Sequence, residues 1–479
     1  MNFLIKDNFI KYELGNIFRI FYPYEKLDII DNGNCDLSVI INEQKAEFTT
    51  FGKTEIIDLP ETQTEQEFII CQKFFRILSE INSYKPNWGM LTGIHPVKLF
   101  AHYERKLGTD KAKDYFMNEM EVSQEKTNFA KQILDIERAF LDSIAENDFS
   151  LYVSIPFCPS RCSYCSFVSQ SIEKKEHLIP DYFEKLLIEI EHTAKVTKQN
   201  NLNLISVYIG GGTPTTLSAK QLKQLILKIR ECFDFSFCRE FTVEAGRVDT
   251  IDTKKLEVLK SLNIDRISIN PQSLNDNVLK LIGRNHNSDE FLKKYSLAKS
   301  IGFNCINTDL IAGLQGDTFE SFCESLEKII KLSPENITIH SLALKRSAEI
   351  FWEKKTKDYH SDKNAAQKMI EYSIKRLGEE GYSPYYLYRQ SRMAGNSENT
   401  GWCKKGFECA YNIYTMDESQ TIIACGAGAV TKVKDFYSSN LKRIFNFKYS
   451  YEYLSRFDEI IKRKDEVSDI YEQFRKRLY

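Results

Sequence analysis

The chain has 479 residues, 42% of them hydrophobic, with 65 Lys and Arg against 67 Asp and Glu for a formal net charge of -2. That length exceeds what one hydrophobic core usually serves, so two or more domains are expected. The near balance of charge argues against a nucleic-acid surface or a polybasic membrane anchor as the main business of the protein, and no stretch is long and apolar enough for a membrane span. The first nine residues carry Asp7 and no apolar core, so they do not read as a signal peptide. Twelve cysteines without a secretion signal imply a reducing cytoplasm, where thiols serve as ligands or as packing.

Residues 1–145 carry no chemical motif and read as a separate α+β accessory region. Runs at 18–22, 37–41 and 47–51 are rich in β-formers and suggest a small sheet. Helices are expected over 64–78, 97–107, 109–119 and 123–145. Between them, residues 88–99 hold glycines and Pro96 and mark a shaped loop. His95 in that loop could meet a substrate or partner; a packed or solvent-facing imidazole is the preferred reading.

From Leu151 the pattern becomes strand, motif, helix, repeated. Strands are expected at 151–155, 204–209, 240–245, 265–269, 303–311 and 336–342, with helices near 180–196, 218–232, 253–262, 288–301 and 317–332. Such alternation argues for an α/β parallel sheet with helices packed outside. In barrel-like versions the chemistry gathers where strands end. The first strand runs into Cys158, Cys162 and Cys165, whose C-x3-C-x2-C spacing offers three thiolates on one loop. Three thiolates can hold a [4Fe-4S] cluster and leave its fourth iron open. A zinc site would want a fourth ligand, and His177 lies beyond a charged stretch; three thiols so close together cannot all pair as disulfides. The other nine cysteines read as buried and inert.

The later strands end in unusual residues too. Residues 210–215 are Gly-Gly-Gly-Thr-Pro-Thr, backbone that a ligand can approach closely. Glu244 interrupts an apolar strand and needs a cation, either a protein Lys or Arg or a bound ammonium. Gln272 closes the fourth strand, and Arg284, twelve residues on, has the fork that suits a carboxylate. Asp309 lies in the fifth strand. The tail from about 450 reads as helical with Leu454, Phe457, Ile460 and Ile461 as an apolar stripe for packing.

The loop with Cys158, Cys162, Tyr164 and Cys165 resembles the diagnostic C-x3-C-x-aromatic-C loop of the radical S-adenosylmethionine (SAM) enzymes. Over most of its length the chain resembles the oxygen-independent coproporphyrinogen III oxidase family, and its HemZ-type members most closely. The resemblance implies a partial (β/α)6 TIM-like radical SAM barrel over 146–350, an N-terminal α+β region over 1–145, and a C-terminal extension over 351–479 that completes the substrate site. It implies a [4Fe-4S] cluster on Cys158, Cys162 and Cys165. It also implies SAM contacts: Tyr152; Gly211, Gly212 and Thr213 at the methionine part; Glu244 at the amine; Arg284 at the carboxylate; Gln272 and Asp309 at the ribose; Ala343 at the adenine.

The implied activity is oxidative decarboxylation of coproporphyrinogen III to protoporphyrinogen IX. That requires a tetrapyrrole substrate, an electron donor such as flavodoxin or ferredoxin, and an electron acceptor of unknown identity. Residues 385–396, with several tyrosines, Arg389 and Arg392, suit a flat macrocycle bearing carboxylates, or else form a tyrosine-rich strand packed on the barrel. A strand and tight turn at 421–429 also resemble the family, and a helix is expected over 361–380. One departure stands out. Many family members carry a further cysteine two residues after the third ligand, where this chain has Phe167. Phe is shared by HemZ-type proteins and by the related haem chaperones. A haem chaperone, a binding protein, is therefore the alternative, and another tetrapyrrole-modifying radical SAM reaction is a third reading. The N-terminal region and residues 91–96 favour the HemZ type.

Overall fold

The computed structural model describes residues 1–343 except 24, 43, 51, 94 and 168, and residues 365–476 except 391, 392, 394 and 395. They form two compact units, Met1–Leu134 with Tyr388–Glu398, and Asp135–Leu387 with Asn399–Tyr479. The sequence reading divides the chain near 145 and 350, and so counts 388–398 with the C-terminal region. These residues cluster with the first unit through buried polar ties. Glu398 accepts a hydrogen bond from Trp88 Nε1 at 2.7 Å and pairs with the ammonium of Lys126, all three groups being buried.

In the first unit, strands β1 (Asn2–Ile5), β2 (Asp28–Ile30), β3 (Leu37–Asn42), β4 (Lys45–Thr50) and β5 (Lys53–Asp58) form one sheet in the order β2-β1-β3-β4-β5. Helices α1 (Asn8–Phe21) and α2 (Gln63–Asn82) share an apolar core with it, where Phe3 and Phe74 stack at 5.1 Å. The expectation of a strand at 18–22 is overturned, because Phe18 to Phe21 lie in α1. Ile10, Leu14, Ile17, Phe18 and Phe21 recur at helical spacing and are all buried, so a fourteen-residue amphipathic pattern outweighs the local β-propensity. Pro96 opens the helix Pro96–Leu107, a position where its missing N–H costs nothing. The helix expected over 109–119 is α-helical at Thr109–Asp114 and finishes as one π-turn, Tyr115–Glu119.

The second unit holds six parallel strands in chain order: β6 (Asp148–Ile155), β7 (Asn203–Gly211), β8 (Glu240–Glu244), β9 (Arg266–Ser268), β10 (Cys305–Ala312) and β11 (Asn336–Ser341). Helices Ile179–Gln199, Ala219–Cys232, Thr253–Ser261, Ser288–Ile301 and Phe319–Leu332 connect them. Their starts are set by side-chain caps. Ser218 with Gln221 and Asn287 with Glu290 form complete capping boxes, and Asp252 and Thr318 accept from backbone N–H groups.

The C-terminal chain extends both edges of this partial barrel. Strands β12 (Ser383–Tyr388) and β13 (Asn399–Cys403) lie beyond β11, with β13 antiparallel to it. On the other edge β14 (Thr421–Cys425) pairs parallel with β6, followed by β15 (Val430–Lys434) and β16 (Leu441–Phe445). The helix expected over 361–380 is Ala365–Glu379, and 361–364 lie outside the described residues. The tail makes two helices, Ser450–Ser455 and Phe457–Arg475. The break at Arg456 resets the helical phase, so the buried stripe runs through Phe457, Ile460, Lys464, Val467 and Tyr471, while Leu454 and Ile461 are only half-buried. Among the described residues no helix is long and apolar enough to cross a membrane.

Candidate functional site

The cysteine loop leaves β6 and is tied back at its base, where Phe157–Cys158 pairs with Gln170–Ser171. Cys158 and Cys162 are buried and Cys165 is half-buried. Two of the sulfurs already have donors: Thr213 Oγ1 stands 3.3 Å from Cys158 Sγ, and Arg247 Nη1 3.4 Å from Cys162 Sγ. The glycine run serves packing first. A Cβ on Gly212 would stand 2.7 Å from Phe157 O and 3.0 Å from Cys158 Sγ, and Gly211 has φ +106, which a side chain would strain. Residues 282–284 hold the loop from the other side, with Ser163 N donating to Ile282 O at 3.1 Å. Burial pushes the Cys158 thiol up, opposed by the Thr213 hydrogen bond. Burial, then the neighbouring Cys162, pushes Cys165 up to about 11. Iron binding would displace the thiol protons to solvent, so loading of these cysteines is expected to depend on pH.

Polar side chains gather where the strands end. Glu244 accepts a hydrogen bond from Tyr208 OH at 2.6 Å and has no Lys or Arg partner among the described residues. Burial pushes its carboxyl up to about 7, with the Tyr208 hydrogen bond opposing. Tyr152 stacks beside Tyr208 at 6.2 Å, and Tyr411 lies on Tyr208 at 4.5 Å. Gln272 adopts φ +69, held there because its N–H donates to Asp309 O and its carbonyl accepts from Ile311 N. Asp309 accepts from Asn270 Nδ2 and Asn307 Nδ2, both at 2.7 Å, with His340 Nε2 at 3.5 Å. Arg284 donates to Tyr164 OH at 2.9 Å and to Gly246 O at 3.1 Å. Ala343 stands half-buried two residues beyond β11, after Leu342 N has bonded Ala312 O.

Residues 152–329 match the Radical SAM superfamily. The chain is 35% identical to the oxygen-independent coproporphyrinogen-III oxidase-like protein HemZ of Bacillus subtilis, over 97% of each chain. It belongs to that family. It is also 30% identical to the heme chaperone HemW of Lactococcus lactis, over 67% of this chain and 79% of the relative. Coproporphyrinogen III oxidase (HemN) of Escherichia coli shares the fold, with a TM-score of 0.54 at 23% identity over 67% of this chain and 72% of that one.

The family's cofactors are a [4Fe-4S] cluster and SAM, and the residues present fit both. Among the described residues no three His, Cys, Asp or Glu side chains converge as ligands of a single ion would. A four-iron cube would take each of the three thiolates on a different iron, so its ligands stand further apart than those of a single ion. On the SAM side, Glu244 lacks a cation, and Gln272 Oε1, Asn270 Oδ1 and Arg284 Nε are buried without a hydrogen-bond partner. A bound amino acid and ribose would supply what these groups lack.

The structure brings most of the expected residues together: Thr213 with Cys158, Arg284 with Tyr164, Gln272 with Asp309, and Tyr152 beside the Tyr208–Glu244 pair. It also adds Asn270, Asn307 and His340, whose signal was a polar residue at every second position of the strand ends, as in Asn307 and Asp309. Arg247 and Tyr411 carried no such signal. Arg389 does not stand free for a substrate carboxylate. Its guanidinium donates to Leu91 O at 2.6 Å and to Asn396 O, over the Trp88 ring, and burial draws its pKa down to about 10. Arg392 lies outside the described residues. Tyr385 and Tyr386 are buried, as in the packed-strand reading. His95 lines a cleft of about 370 Å³ in the first unit with Leu91, Lys98, Leu99 and His102.

Proposed function

We propose that the chain is an oxygen-independent coproporphyrinogen III oxidase working in the cytoplasm with a flavodoxin- or ferredoxin-type electron donor. The observation that carries this reading is the pairing of a three-thiol loop, with hydrogen bonds already on two of its sulfurs, and a half-buried Glu244 two strands along that has no Lys or Arg partner among the described residues. The likeness to HemZ over 97% of each chain supports the substrate. When bound, the cluster and SAM would supply the one-electron chemistry for oxidative decarboxylation of a substrate propionate.

The chain's own residues supply position and dryness. Cys158, Cys162 and Cys165 hold the iron. Gly211, Gly212 and Thr213 let the methionine part come close, Glu244 takes the amine, and Arg284, through Nε, takes the carboxylate. Gln272 Oε1 and Asp309 accept from the ribose, Ala343 leaves room for the adenine, and Tyr152 walls the site beneath them.

The second reading, a haem chaperone, has one observation in its favour: Phe167, two residues past Cys165, is 67% exposed and presents an aromatic face instead of a further thiol. The test is anaerobic turnover of reconstituted protein with reductant, SAM, an electron acceptor and coproporphyrinogen III, scoring protoporphyrinogen and 5'-deoxyadenosine together. Both products support the oxidase. Deoxyadenosine without decarboxylated product, combined with stoichiometric haem binding, moves the assignment to the chaperone.

A further inference from the structure

Arg247 is a buried cation fixed against one cysteine of the loop. It is 3% exposed, and each of its five N–H bonds has an acceptor. Nε and Nη2 reach Asp249 at 3.0 and 2.7 Å; Nη2 also reaches Ser160 Oγ at 3.0 Å; Nη1 reaches Ser160 O at 3.1 Å and Cys162 Sγ at 3.4 Å. A guanidinium so held has no freedom to swing toward a substrate. Arg284, a second arginine packed on the loop, bonds Tyr164 OH and Gly246 O. The two arginines therefore divide the work, one on a sulfur and one on the aromatic spacer.

We propose that the Arg247–Asp249 pair sets the reduction potential of the cluster bound by Cys158, Cys162 and Cys165. Adding an electron makes the cluster more negative. A cationic N–H on a ligand sulfur stabilises that added charge and raises the potential, and low surrounding polarity strengthens the effect. Asp249 lies on the far side of the guanidinium and opposes it. The pair thus acts as a set-point: the arginine pulls the potential up, and the carboxylate limits how far. A purely mechanical clamp would need only the bonds to Ser160. The fifth N–H, placed on Cys162 Sγ, is what couples the pair to electron transfer.

The inference rests on the three-cysteine ligand assignment, and its test separates the two. Holoprotein is reconstituted anaerobically, its iron counted, and the cluster titrated by EPR against ambient potential. Arg247→Gln is expected to lower the potential so that the reduced-to-oxidised ratio at fixed potential falls about tenfold, which is ~59 mV for one electron. Asp249→Asn, which leaves the guanidinium on Ser160 and Cys162, is expected to shift it the opposite way. Opposite shifts support the set-point. An unmoved potential in Asp249→Asn, or shifts of the same sign, overturn it. Where Arg247→Gln fails to hold its iron, Asp249→Asn alone decides. A full cluster in Cys162→Ala protein would instead refute the ligand assignment.

Discussion

Two glutamates sit at opposite ends of the same five-residue strand, β8, and the chain treats them differently. Glu240, at the start, accepts from Cys409 Sγ, Ala410 N and Tyr411 N and stands 3.7 Å from Arg266. Arg266 in turn donates to Phe407 O and Glu408 O, so residues 407–411 close the barrel's lower end around a paired charge. Glu244, at the other end, has one tyrosine hydroxyl and, among the described residues, no Lys or Arg partner. A carboxylate held by several donors and a guanidinium is architecture; a half-buried one with a single hydroxyl is open to a cation. The difference is why the chemistry is proposed for the Glu244 end of the barrel.

Removing what each end is built to hold should have unlike consequences. The largest effect is at the loop, where Cys162→Ala should abolish the [4Fe-4S] chromophore in iron analysis and visible absorption. Next is the closed end. Glu240→Ala leaves the buried Arg266 charge without its carboxylate and the donors of 409–411 without their acceptor, and urea unfolding should show a loss of about 3–5 kcal/mol. Glu244→Gln should behave in the opposite sense. Because the folded carboxyl titrates near 7 and the unfolded one near 4.5, the folded state holds the proton more tightly. Wild-type stability therefore falls as pH rises from about 4.5 through 7. Cofactor-free Glu244→Gln protein should be the more stable above pH 7, by roughly 1–2 kcal/mol after allowance for partial exposure, and the gap should close toward pH 4.5. An equal gap at all pH values would mean that Glu244 has the same pKa folded and unfolded, and a gap of opposite sign above pH 4.5 would mean that it is paired. The smallest effect calibrates the scale: Asn287→Ala removes a helix cap and should cost about 1 kcal/mol in the same unfolding experiment.

The parallel barrel was legible because strand and helix patterns alternate cleanly from 151 to 342 and because caps such as Ser218 and Asn287 announce helix starts. The strand-end residues were legible because each breaks an apolar run. What sequence could not carry was pairing over long separations. Tyr411 reaches Tyr208 across the barrel, and Glu240 finds its donors at 409–411, relations that no local period encodes. Arg247 lies in an unremarkable Ala-Gly-Arg-Val run, and its contact with Cys162 exists only once β6 and β8 stand in one sheet. In the first unit, Phe18 to Phe21 looked like a strand because aromatic and branched residues favour one locally, whereas their burial follows a helix.

The chemistry proposed for this end of β8 rests on Glu244 binding a cation. Its most direct test is calorimetric titration of SAM into anaerobically reconstituted wild-type and Glu244→Gln proteins of matched iron content. The account predicts at least tenfold weaker binding in the variant with the cluster intact. Equal affinity would contradict it and return Glu244 to a structural role.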